Sequence, residues 1–174
     1  IPHGGWIPKG RRTEVGTLPD KYKLKEMSSS SYPKRTEQNV IDSDGTLIIS
    51  HGKITGGSSL TVNLAKQHKK EWLHIDLRTN RGFSAAQLIK SWIVLNDIKV
   101  LNVAGPRASE DPDIYEDTIR LLKAVNHLFF IDFKTFNADN LKPIYPRTVE
   151  SAINRLSYEL SFKIKIHIAK LEEN

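Results

Sequence analysis

The sequence predicts an α/β domain with a mostly parallel sheet. Three observations carry this. Short, apolar, β-prone runs recur at 46–49, 72–77 and 100–104. Each is followed by a stretch with helical spacing of apolar residues, and Gly, Pro, Ser and Asp separate the segments. At 174 residues, 39% of them hydrophobic and 26% charged, the chain has a globular composition. A single domain of this size buries about 70% of its unfolded surface, so it needs no covalent staples.

The first 31 residues are rich in turn formers and charge, with Gly4, Gly5, Pro8, Gly10, Gly16, Pro19 and then Ser28 to Ser31. They read as a short extended piece over residues 1–7 and a long loop, and loops of that length are often functional. Pro33 suits the first turn of a helix running to about Ile41, whose apolar face is thin. Asp44 and Gly45 then open a buried strand at Thr46-Leu47-Ile48-Ile49. Gly56-Gly57-Ser58-Ser59 leads into a helix to about Lys69, with Leu60, Leu64 and Ala65 on one side. The next strand covers Trp72 to Leu77. Ser84 is expected to cap a helix whose stripe is Ala85, Leu88, Ile89, Trp92 and Ile93. Val100 to Ala104 form the third strand. Asp111 is expected to cap a helix with Pro112 at its first position and Ile114, Thr118, Leu121, Leu122 and Val125 inward.

This domain is expected to span residues 1–127. Residues 128–146 are aromatic-rich and then carry Pro143 and Pro146, which reads as a linker. Residues 147–174 form an appendix that opens with a helix at Thr148, with Val149, Ala152, Ile153, Leu156 and Leu160 on one face. Phe162, Ile164, Ile166 and Ile168 alternate as in a strand, while Ile164, Ile168 and Leu171 would also share a helical face. Periodicity leaves both open.

Charge and composition narrow the function classes. Lys and Arg total 26 against 20 Asp and Glu, a net charge of +6, which favours anionic partners such as phosphates and nucleotides. Cysteine is absent, which removes disulfides, thiolate metal sites and Cys nucleophiles and fits a reducing, cytoplasmic setting. The histidines show no HxxxH or HExxH spacing, so no protein-built metal site is expected. No apolar run approaches the roughly 20 residues of a membrane-spanning helix, and no signal-peptide pattern opens the chain.

In an open parallel sheet, ligands bind beyond the carboxyl ends of the strands, where helix starts offer free N–H groups to an anion. Two turns there have suitable chemistry. One carries Gly56, Gly57, Ser58 and Ser59. The other carries Gly105, Arg107 and Ser109, and Arg107 supplies a planar fork for a phosphate or carboxylate. Either could equally be an ordinary capped connection. Arg11, with Lys9 and Arg12, forms a basic cluster beside Gly10. Trp6, close to His3, could stack on a base or rim the core. Asp42 and Asp44 are ligand candidates or simple turn residues. No catalytic constellation stands out.

The stretches IPHGGWIPKGRRTEVGTLP, RTEQNVIDSDGTLII, TGGSSLT and LNVAGPRASEDPDIY closely resemble the putative molybdenum carrier family. That family is the circularly permuted YpsA branch of the SLOG superfamily of Rossmann-like nucleotide-binding domains, and the resemblance covers about residues 1–125. It implies a Rossmann-like three-layer sandwich. It also implies that Gly105 and Arg107 correspond to the superfamily's Gly-x-Arg motif, Gly56 and Gly57 to its phosphate-cradling turn, and Asp44 to the acidic residue before the strand. Two departures matter. The family's first strand–turn–helix unit is missing ahead of Ile1, so an unpaired strand and a less complete pocket are expected. Asn63 stands where the superfamily's hydrolases carry a glutamate. The tail resembles the start of a small helical module found in relatives, which favours helix over 161–171.

The function expected on this basis is binding of a nucleotide-like or phosphorylated small molecule, as carrier or sensor, by a chain that self-associates. The resemblance alone suggests molybdenum cofactor or a nucleotide as the bound group. A nucleotide-processing hydrolase of the lonely-guy type is the alternative, and a single-strand DNA binder ranks last.

Overall fold

The computed structural model describes residues 2–14, 16–135 and 165–168. Short strands open the chain: β1 (His3–Gly4), β2 (Trp6–Ile7), β3 (Arg12–Thr13), β4 (Gly16–Thr17) and β5 (Lys25–Glu26). Then come α1 (Tyr32–Ile41), β6 (Gly45–Ser50), α2 (Gly56–Gln67), β7 (Glu71–Asp76), α3 (Gly82–Leu95), β8 (Val100–Ala104), α4 (Ile114–Thr135) and β9 (Lys165–Ile168). The main sheet has the order β1-β9-β8-β6-β7, and every pairing in it is parallel. The expected long loop is organised by two small ladders, β2 beside β5 and the β3–β4 hairpin.

The period-2 alternation of the strands sorts their side chains between two helical layers. Leu47, Ile49, Ile75, Leu101 and Val103 pack with Ala85, Ala86, Ile89 and Ile93 of α3 and with Ile114, Leu121, Val125 and Leu128 of α4. Each such Ile or Leu contributes about 1.5–3 kcal/mol through burial, so this face carries most of the stability. The opposite face, under α1 and α2, has a much smaller apolar cluster of Val40, Leu64 and Ala65, with Leu60 and Trp72 against it. Buried polar residues take the remaining space there: Arg35, Asn39, Thr46, Ser58, Thr61 and Asn102. That is the physical meaning of the thin apolar face of α1.

Several local expectations are corrected. Helix α3 is capped at Arg81, not Ser84, because Ser84 sits inside the first turn and its hydroxyl donates back to the Arg81 carbonyl. Leu88 lies 44% exposed, and Ala86 takes its place inward. Helix α4 begins at Ile114, and the carboxylate of Asp111, expected to cap it at Pro112, is engaged by His51. It continues to Thr135, past the start of the expected linker at 128. Residues 165–168 form a strand, where the resemblance of the tail favoured helix. Their alternation matches a slot in which β1 and β8 both present open backbone groups. Strand β8 is therefore paired on both sides, and β1 and β7 form the edges of the sheet. The rest of the expected linker and the helix expected at Thr148 lie outside the described residues.

Candidate functional site

At the carboxyl ends of β6 and β8, where helix starts converge, the thinly packed face opens into a cavity of about 360 Å³. Four expected site residues line it together: Gly57 and Ser58 from the first turn of α2, and Gly105 and Arg107 from the turn after β8. Helix α1 contributes Tyr32, Arg35 and Asn39, and β8 contributes Asn102.

The start of α2 is built to receive an acceptor. Thr55 precedes the helix without a side-chain cap. Its carbonyl takes the N–H groups of Ser58 and Ser59 at 3.1 and 3.2 Å. The N–H of Gly57 comes before the first intrahelical bond and needs an acceptor from outside the helix. The aligned peptide dipoles add positive potential at the same place.

Two guanidinium groups share this cavity. Arg35 is buried, with its Cζ 5.9 Å from the Tyr32 ring centroid. Burial lowers its pKa; Tyr32 opposes that shift and the nearby charge of Arg107 adds to it. An anion between the two would relieve both the desolvation and the repulsion. Arg107 is half exposed, and its Nε lies 3.3 Å from Glu14 Oε1. Ser109 donates to the same carboxylate oxygen at 3.1 Å, so its hydroxyl serves the pocket rim rather than the interior.

The other expected site residues stand elsewhere. Gly56 and Ser59 lie beside the lining residues but do not line the cavity, and Gly56 is glycine because its φ is +48°. The carboxylate of Asp44 accepts from the N–H groups of Lys99 and Val100 at 3.0 and 2.7 Å, at the amino edge of the sheet. Trp6 donates from Nε1 to Asp42 at 2.7 Å, and its backbone N–H donates to Asn39 Oδ1 at 2.8 Å. Arg11 holds the 18–24 loop through the carbonyls of Leu18, Pro19 and Tyr22. Asn63 is exposed and does not line the cavity. Its identity therefore says nothing about chemistry inside it. The carboxylate that lines it is Glu110, at the exposed rim.

Next to the cavity, His51 ties the end of β6 to the turn that carries Arg107. Its Nδ1 lies 2.8 Å from Asp111, and its Nε2 3.2 Å from Asp117. The N–H groups of Glu110 and Asp111 both donate to the Arg107 carbonyl at 2.9 Å. Burial works against a charged His51, but the hydrogen bonds and charges of Asp111 and then Asp117 outweigh it and raise its pKa. A raised folded pKa stabilises the fold fully below about pH 6.5, and the contribution fades as pH climbs through the raised value. The melting-temperature gap between wild type and His51→Gln is therefore expected to be widest near about pH 5–6 and to narrow toward about pH 9. A gap that stays constant over that range would show that the charge of His51 contributes nothing.

A second imidazole contact, between Ser50 Oγ and His74 Nε2 at 2.9 Å, is not poised for catalysis. The Ser50 hydroxyl donates to the Gly52 carbonyl at 2.8 Å, so it accepts from His74 instead of giving up a proton to it. Burial, opposed by the charge of Asp76, lowers the His74 pKa, in keeping with a neutral ring.

Parallel strands, two helical layers and a cavity beyond the strand carboxyl ends define a Rossmann-like α/β domain, with the cavity where open sheets of this kind hold ligands. The model of the circularly permutated YpsA SLOG family matches residues 1–126, and the chain belongs to that family. Among solved structures, it is similar to a crystal structure at 1.45 Å from Syntrophus aciditrophicus SB, described as a "Putative molybdenum carrier protein". The two are 58% identical, the match covers 72% of this chain and 79% of that one, and the TM-score is 0.71. A search of curated proteins finds no match. Among the described residues, no helix is long and apolar enough to cross a membrane.

Proposed function

We propose that this chain binds a phosphorylated or nucleotide-like small molecule in the cavity between α1, α2 and the β8–α4 turn, as a carrier or sensor. One observation carries the reading: two guanidinium groups and an uncapped helix start line the same cavity. The anionic group lies at Gly57, Ser58, Arg35 and Arg107, and Glu14 holds Arg107 until the ligand displaces it. If the cargo contains molybdenum, as the printed name of the similar crystal structure suggests for that protein, it reaches this site within a phosphorylated pterin. The phosphate is then what the chain grips.

Native mass spectrometry of protein purified without added ligand is expected to find a retained phosphorylated compound. Titration calorimetry with AMP then measures the rim cation. Arg107→Ala is expected to weaken binding by about 1–2 kcal/mol, below the full 3 of a buried charged hydrogen bond because this side chain is half exposed. Unchanged affinity would take Arg107 out of the site.

Glu110 gives the hydrolase reading its one supporting observation, since it is a carboxylate at the cavity rim. On the binding reading, release of base from AMP stays at background. Turnover that disappears in Glu110→Gln would favour the hydrolase.

A further inference from the structure

The floor of the cavity holds an unused hydrogen-bond acceptor. Asn102, in the middle of β8, is 1% exposed and lines the cavity. Its Nδ2 donates to Thr46 Oγ1 at 3.2 Å, while its enclosed Oδ1 has no partner among the described residues. Leaving a buried amide oxygen unpaired is unfavourable, and native proteins pair nearly all such atoms. Two other polar residues lining the cavity are committed elsewhere. The Thr61 hydroxyl donates to the Gly57 carbonyl at 3.0 Å, and the Asn39 amide is engaged on both sides with the Trp6 backbone.

Position separates this acceptor from the anion end. Asn102 lies three residues before Gly105 on an extended strand, roughly 10 Å along it. A bare oxyanion at Arg107 and Gly57 would leave most of the cavity of about 360 Å³ unfilled. We infer that Asn102 is a specificity-determining residue: its Oδ1 accepts a hydrogen bond from an N–H or O–H group on the organic part of a phosphomonoester. This rests on the anion-binding reading above and adds what the far end of the ligand must carry.

The test uses titration calorimetry on wild type, Asn102→Leu and Asn102→Ala, with inorganic phosphate, ribose 5-phosphate, AMP and GMP. In wild type, at least one phosphomonoester is expected to bind roughly tenfold or more tightly than inorganic phosphate, the scale of one buried hydrogen bond. Both variants should lose that advantage while their affinity for inorganic phosphate stays unchanged, which also shows that the cavity remains folded. The alanine variant serves if leucine is not accommodated. A monoester advantage that survives both substitutions, or phosphate binding with no monoester advantage in wild type, overturns the role of Asn102 and leaves the anion site standing. Binding of none of the four ligands overturns both.

Discussion

Arg35→Met is expected to abolish ligand binding while the fold survives. The guanidinium is buried at the back of the cavity, and desolvation, the largest influence on it, lowers its pKa. An anionic ligand beside it would favour the charged form that burial disfavours. Methionine keeps much of the length and apolar stem without the charge. The expected loss of affinity for AMP is about 3 kcal/mol, more than a hundredfold, because this charge is shielded from solvent where Arg107 is not. Thermal melting of the variant should stay within a few degrees of wild type. Retained affinity would move the anion elsewhere, and a collapse in stability would make Arg35 a structural cation.

Two glycines that look alike in sequence are expected to respond in opposite ways. A Cβ on Gly105 would lie 2.6 Å from the backbone carbonyl oxygen of Ile49, which cannot swing aside as a side chain does. Gly105→Ala should therefore destabilise the fold by about 1–3 kcal/mol, a drop in melting temperature of roughly 2–12 °C. A Cβ on Gly57 would meet nothing within 4 Å, and the backbone there is not left-handed. Nothing in the packing requires that glycine. Gly57→Ala should raise stability, by up to about 1 kcal/mol through helix propensity. It should also weaken ligand binding, because the methyl group enters the space where an anion meets the helix N–H groups. Melting curves and AMP titrations on the two variants check both signs. A stabilised Gly57→Ala that binds AMP like wild type would leave this glycine without a role in the site.

The three strand runs and the helices between them were legible because apolar residues at period 2 and period 3.6 report burial directly. The pairing of the two turns was legible too, since both follow parallel strands and so reach the same edge of the sheet. The rest of the cavity wall was hidden for a physical reason. Arg35, Asn39 and Asn102 are polar residues at inward positions, where a hydrophobicity pattern registers only a gap. The available signal was the i, i+4 spacing of Arg35 and Asn39 on a helix that has too few apolar residues to pack. Arg11 and Asp44 stand away from this cavity. Their charges serve backbone groups of nearby loops and strands, and partners of that kind leave no mark in the sequence. The strand at Lys165–Ile168 shows the same limit, because only the open edges of β1 and β8 decide between its two periodicities.

The most direct test of the anion site is amide chemical-shift mapping of the ¹⁵N-labelled chain during titration with AMP. The account predicts shifts concentrated at Gly57, Ser58, Gly105, Arg107 and Asn102, with saturation that fails in Arg35→Met. Shifts gathered instead at Lys9, Arg11 and Arg12, or saturable binding that leaves the Gly57 and Arg107 amides in place, would contradict it.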